Sequence, residues 1–199
     1  MTGRLGQRPR RIAVGKRIGS LVLTTISGEV DVPASDRLTH LQFRRFAGCP
    51  VCDLHLRSFA RRHAEIAQAG VREIVVFHSD EAALRAYAGD LPFLLVADPG
   101  KHLYARFNVE AASRALRNPR AWPYILLGVL RSLARVVRGR QKMPPMSPQG
   151  GSLGLPADFL IAPDGGVLAF KYGEYAYDQW SVDQLLDLAR ADAPQEAVG

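Results

Sequence analysis

Short runs of alternating apolar and polar residues, broken by glycine and proline, dominate most of this chain. Leu21-Val22-Leu23-Thr24-Thr25-Ile26 is rich in strand formers, Ser27-Gly28 marks a turn, and Glu29-Val30-Asp31-Val32 alternates. Together they predict a small β-hairpin. Residues 39–46 predict a further strand that ends at Ala47-Gly48. From residue 49 to about 69 the period lengthens. Leu54, Leu56, Phe59, Ile66 and several alanines share a broad side, and Arg57, Arg61, Arg62 and Glu65 lie largely elsewhere. That is a helix, with Gly70 in the C′ role. Residues 73–78 and 93–98 are almost continuously apolar, as strands covered on both faces are. Between them Ser79 is placed to cap a helix over 80–88, and Lys101 to Phe107 predicts a short helix. Residues 157–161 and 167–171 flank Pro163-Asp164-Gly165-Gly166, a strong hairpin signal. Ser181 caps a last helix over 182–190, and the tail from Ala191 is expected to fray.

Residues 109–150 interrupt this rhythm and read as an insert. Without them the order is hairpin, β, α, β, α, β, short α, ββ, α. Strands alternating with helices imply parallel strands, and the closing pair adds antiparallel ones. The expectation is an α/β, thioredoxin-like fold: a central mixed sheet flanked by helices, with an N-terminal hairpin and a basic helical insert. Residues 1–17 read as a flexible basic arm, 18–190 as one domain and 191–199 as a tail.

Charge sharpens that division. The 199 residues carry a net charge of +7. Six basic residues and no acid fall in 1–20, and eight basic residues and no acid fall in 111–157. The remainder holds twelve basic residues against all nineteen acids, so an acidic body carries two basic segments. Nucleic-acid binding is not expected, since no recognised motif and no interleaved aromatics accompany the charge. Within the insert, Arg131, Arg135 and Arg138 share one helical face, and Leu126, Val129, Leu133 and Val137 lie opposite. Three readings stay open for residues 121–142: packing of the apolar face on the domain, a partner or homo-oligomer contact, and peripheral binding to anionic lipid. The basic N-terminus has no apolar run after it, and Tyr124 to Leu130 is too short to span a bilayer. A cytoplasmic location is the expectation.

Two cysteines exclude a secreted disulfide framework and a four-cysteine zinc site. They form Gly48-Cys49-Pro50-Val51-Cys52, between a strand and a helix, the context of a redox C-x-x-C. Free N–H groups and the helix dipole favour an anion at Cys49, and Arg44 and Arg45 add positive potential. These effects predict a lowered Cys49 pKa. Cys52, three residues on, lies on the same helical face and can resolve a mixed disulfide or sulfenic acid. Pro50 suits a first helical turn. Buried structural cysteines and a metal half-site are the competing readings. His55 and His63 are expected to cover a helix surface, and His40, His78 and His102 to be structural or surface residues. Pro156 opens a late strand, where a thioredoxin-like fold commonly carries a cis proline against the cysteines.

Phe43-Arg44-Arg45-Phe46-Ala47-Gly48-Cys49-Pro50-Val51-Cys52 resembles the active-site stretch of AhpC/TSA-type peroxiredoxin-like proteins, nearest the group that includes prostamide synthase. Residues 155–165 resemble that family's late hairpin and residues 171–183 its closing stretch. The resemblance implies a thioredoxin-like fold and thiol-dependent oxidoreduction. Cys49 would be the nucleophile and Cys52 the resolving cysteine, supported by Arg44, Arg45, Gly48, Pro50 and Pro156. The implied partners are a small-molecule or protein oxidant, such as a hydroperoxide or disulfide, and an external thiol reductant such as a thioredoxin. No cofactor or metal is implied. Typical members carry Pro seven residues and Thr or Ser three residues before the attacking cysteine, where this chain has Gln42 and Phe46. The alternative is a non-catalytic redox-sensing or interaction protein that docks through its insert.

Overall fold

The computed structural model describes residues 11–109, 118–139, 142–145, 148, 151 and 153–192. Its element order is β1 Leu21–Thr25, β2 Gly28–Val32, β3 Leu38–Arg44, α1 Pro50–Arg61, α2 His63–Gln68, β4 Val71–Phe77, α3 Glu81–Tyr87, β5 Leu94–Ala97 and α4 His102–Arg106. A 3-10 turn, Pro119–Ala121, then leads into α5 Trp122–Val137, followed by β6 Ala157–Ile161, β7 Val167–Tyr172 and α6 Val182–Asp192. Seven strands form one sheet in the order β2-β1-β5-β4-β3-β6-β7. β3, β4 and β5 run parallel, and β1, β2, β6 and β7 pair antiparallel. This is the thioredoxin-like sheet that the element order predicts.

Strand alternation gives the sheet two covered faces. Leu41, Phe43, Ile74, Val76 and Phe159 pack with Tyr104 and Phe107 on one. Val75, Phe77, Leu95 and Leu160 pack with Phe59, Ile66, Leu84 and Leu185 on the other. That second face also holds a polar cluster. Arg44 is fully buried, and its Nη2 lies 2.7 Å from Asp158 Oδ1 and 2.6 Å from Gln42 Oε1. Gln42 donates to Glu73 at 3.2 Å, and His40 approaches Asp158 at 3.3 Å. Burial pushes the Asp158 carboxyl up, but the Arg44 charge and the His40 hydrogen bond override it and hold it below the ordinary carboxylate range.

Several local expectations are corrected. The long helix divides at Arg62 into α1 and α2. Asp80, not Ser79, caps α3 through Ala83 N, because Ser79 Oγ is taken by the Ala47 N–H at 3.0 Å. Among the described residues the cis peptide is Val32–Pro33, not Leu155–Pro156. Pro156 instead extends the β6–β7 ladder, its carbonyl accepting from Gly173 N at 2.8 Å. Ser181 does cap α6: its Oγ accepts from Gln184 N, and Gln184 Oε1 accepts from Ser181 N, a capping box. Of the expected arm, residues 1–10 lie outside the described residues. Ile12 is buried, and Lys16 and Ile18 bond to Val167 and Gly165. The tail beyond residue 192 also lies outside them.

Removing one partner of a buried ion pair leaves the other charge unpaired in the core. Asp158→Asn is therefore expected to lower unfolding free energy by about 3–5 kcal/mol. Urea denaturation measures this, and a loss under ~1 kcal/mol would contradict the role given to the pair.

Candidate active site

β3 ends at Arg44 and the chain turns through Gly48 into α1. Gly48 has φ +88, a region that penalises a Cβ, and an added Cβ would meet Pro145 at 3.0 Å and Tyr87 at 3.1 Å. This turn sets Cys49 at the N-cap of α1, with Pro50 in the first turn. Cys49 Sγ accepts the Cys52 N–H at 3.4 Å, as an N-cap side chain accepts from the third helical residue. Arg45 Nη2 donates to the same sulfur at 2.9 Å. Two donors thus converge on Cys49. Both cysteines are free thiols and deeply buried, Cys49 at 1% exposure and Cys52 at 3%.

The two sulfurs titrate as one unit. The hydrogen bond from the Cys49 thiol, then the Arg45 charge, bring Cys52 down to about 6. Burial first, and the neighbouring Cys52 sulfur next, push Cys49 well above an ordinary thiol. The expected lowering at Cys49 is therefore corrected: Cys52 is the sulfur brought down, and Cys49 keeps the shared proton. The N-terminal and Arg45 donors nevertheless meet on Cys49 Sγ, so a proton passed to Cys52 leaves a stabilised anion at Cys49.

Arg44 does not reach Cys49. It is committed to Asp158 and Gln42, and its charge acts on the site from a distance, as a weaker contribution to lowering Cys52. Pro156 lines a small pocket with Tyr172 and Gly173 at the start of β6. His55 is buried rather than covering a surface. Its Nε2 donates to Trp180 O at 2.8 Å, and burial, with the Arg44 charge, lowers it to about 3, leaving a neutral ring. His63 is half-exposed and meets Glu73 at 3.0 Å. Among the described residues no group of three or more His, Cys, Asp or Glu side chains is arranged to hold a metal.

Several site residues were not anticipated. Phe46, Val51, Ala121 and Ala176 bury the cysteines, with Ile125, Tyr175 and Tyr177 packed against them. Tyr124 of α5 stacks on Tyr177 at 3.9 Å between centroids. Helix α5 thus covers the site. Its contact face is not the apolar one, which corrects the packing expected for the insert. Gly128 and Ser132 are the buried positions, while Leu126, Val129, Leu133 and Val137 are exposed. A Cβ at Gly128 would lie 2.8 Å from Pro50 O, so the two helix backbones touch there. The readable signal was the four-residue spacing of Gly128 and Ser132, small residues that permit close helix approach. His78, read as a structural or surface residue, also borders the site. It is buried beside Arg45 and Gly154 with neither ring nitrogen bonded, and burial, then the Lys101 charge, lowers it to about 4.

Solved structures share this architecture. Peroxidoxin BcpB of Mycobacterium tuberculosis superposes with TM-score 0.61 at 20% identity, over 90% of this chain and 97% of that one. A peroxiredoxin-like protein of Aquifex aeolicus gives 0.62 at 15%, over 92% and 90%. A yeast mitochondrial 1-Cys peroxiredoxin, described as resolved through glutathione/thioredoxin systems, gives 0.60 at 12%, over 90% and 76%. At these identities the likeness is one of fold. A defensin of Rhipicephalus microplus is 46% identical over 46 residues, 21% of this chain, and the chain spans 62% of that curated relative's length. So short a segment says nothing of the whole chain. The AhpC/TSA antioxidant enzyme family matches residues 58–174, from the last turn of α1 to just past β7, beginning after the cysteine pair. That match takes in more than half of the chain, which therefore belongs to the AhpC/TSA antioxidant enzyme family.

Proposed function

We propose that this family member is a thiol-dependent oxidoreductase in which Cys49 attacks the oxidised substrate and Cys52 resolves the product. The observation that carries this reading is the convergence of Arg45 Nη2 and the Cys52 N–H on Cys49 Sγ at the start of α1. With a hydroperoxide, the Cys49 thiolate attacks the terminal oxygen. The O–O bond breaks, the alkoxide leaves and takes up a proton as alcohol, and Cys49 becomes a sulfenic acid. The Cys52 sulfur then attacks Cys49 Sγ, an S–S bond forms and water leaves. An external dithiol, of thioredoxin type, returns both thiols and is itself oxidised. With a disulfide substrate the same two attacks exchange S–S bonds. Phe46 supplies an apolar ring where typical members carry a hydroxyl, which favours disulfide exchange over fast peroxide reduction. A cytoplasmic setting, which keeps thiols reduced, suits this cycle.

The burial of both sulfurs under α5 favours a second reading, a redox sensor that reacts only when its cover moves. Turnover separates the two, since a sensor does not cycle with a dithiol donor.

Thiol reactivity at Cys52 is expected to rise with pH through a midpoint near 6, because the deprotonated form is the nucleophile, while Cys49 ionises at higher pH. Arg45→Gln removes a donor and a charge that stabilise this form, so the midpoint moves up toward ~8.5. At that limit the thiolate fraction at pH 7 falls about thirtyfold. Alkylation rates across pH measure both, and an unchanged midpoint would remove Arg45 from the site.

Exposed to hydroperoxide, Cys52→Ser is expected to accumulate a sulfenic acid on Cys49, and the natural chain a Cys49–Cys52 disulfide. Mass spectrometry reads both. Thiols that persist in both proteins under peroxide and disulfide oxidants would overturn the enzyme reading.

Gly128→Ala forces a methyl against the Pro50 carbonyl. Overpacking of about 1–3 kcal/mol on the closed state raises labelling of the native cysteines roughly five- to 150-fold. An unchanged rate would mean that α5 is not what limits access.

A further inference from the structure

Helix α5 carries three stripes. The inward one, Gly128 and Ser132, touches α1. A basic one reaches α1 through Arg135, whose Nη1 lies 3.2 Å from Asp53 Oδ2. The third faces solvent. Trp122 is 67% exposed, Leu126 63%, Leu130 56%, Leu133 45% and Val137 86%. At 100° per residue these five side chains fall within about 80° of one another and form one continuous apolar row.

Unpaired positive charge lies farther round the helix, with Arg131 and Arg138 about 80–100° from Leu130 at the near edge of the row. Between α1 and α5 lies a cavity of about 370 Å³ whose lining includes Arg57, Arg61, Arg131, Arg135 and Arg138. Its one acid, Asp53, is engaged by Arg57 and Arg135, which also share Asp90. Arg61, Arg131 and Arg138 form no ion pair among the described residues. The sequence from 111 to 157 holds no acid.

We propose that α5 docks on an anionic lipid bilayer, its apolar row in the boundary between headgroups and acyl chains and Arg61, Arg131 and Arg138 on lipid phosphates. An amphipathic helix with arginine on its polar face lies in the plane of such an interface, its apolar face about 5–10 Å deep. Trp122 at one end of the row is a residue type that settles at headgroup level, and arginine stems reach from apolar surface to phosphate. A second copy of the chain is a poorer occupant. Sixteen residues make a helix of about 24 Å, and a row ~10 Å wide offers on the order of 250 Å². A stable dimer needs about 800 Å² from each partner. A second copy would also bring more arginine and no acid from this segment. No helix among the described residues is long and apolar enough to cross a membrane, so the contact is peripheral.

Co-sedimentation of the full chain with phosphatidylcholine vesicles, with and without phosphatidylserine, tests this. The chain is expected to pellet with the anionic vesicles and to release as salt rises. Arg131→Gln and Arg138→Gln each weaken binding about fivefold. Leu126→Glu combined with Leu130→Glu abolishes it. These side chains are exposed, so the variants are expected to keep the fold, with unchanged circular dichroism and an unchanged thiol titration. Four outcomes would overturn the proposal. They are no pelleting with anionic vesicles at low salt, equal binding to neutral vesicles, full binding by the double glutamate variant, and a dimer in sedimentation velocity that this variant dissolves.

Discussion

The Arg44–Asp158 pair is the constraint around which the site is arranged. An arginine with no exposed surface needs a carboxylate within hydrogen-bond reach, because an unpaired buried charge costs several kcal/mol. Asp158 supplies it from β6, the neighbour of β3, and its second oxygen accepts from Trp180 N. One carboxylate therefore joins β3, β6 and the entry to α6. With β3 fixed to its last residue, the next one, Arg45, leaves the sheet at a defined point and its guanidinium meets Cys49. The two adjacent arginines divide the work, one holding the strand and the other the sulfur.

The second constraint is steric. Helix α5 can lie on the start of α1 only because residue 128 has no side chain. The same contact seals the cysteines together with Ala121, Ile125 and the Tyr175–Tyr177 stretch. The buried positions of α5 are the small Gly128 and Ser132, and most of its large apolar residues face outward, the reverse of an ordinary surface helix.

How far the sequence was legible follows from what each signal depends on. Strand alternation and the switch to a helical period are local, so the element order and both hairpins could be read. So could the C-x-x-C at the start of α1, from the strand before it and the helix after it. The cap of α3 could not, because Ser79 and Asp80 are both good caps, and Ala47, more than thirty residues earlier, decides between them. His55 sits on a helical side that reads as half apolar, and its burial rests on the Trp180 carbonyl. The amphipathicity of α5 was plain from its period. Period alone does not say which face meets the protein, and the pairing of Gly128 with the Pro50 backbone is a long-range fact. The positive potential of Arg44 at the cysteines could be read from the sequence, but not its ion pair, since Asp158 lies far along the chain.

The cover and the chemistry are linked through the dielectric. Under α5 the sulfurs are shielded from water, which strengthens the attraction between Arg45 and a thiolate and also penalises a second negative charge. The closed site therefore favours a pair with one proton: one sulfur ionised, the other held as a thiol. Lifting α5 admits water, weakens the hold of Arg45 and eases the second ionisation. Access and nucleophilicity thus rise together, while the stabilisation of the thiolate falls. A closed site stores a stabilised thiolate that no substrate reaches, and an open one exposes a thiolate that is less stabilised and more nucleophilic. The outward apolar row of the same helix makes a surface outside the protein a candidate to set that balance.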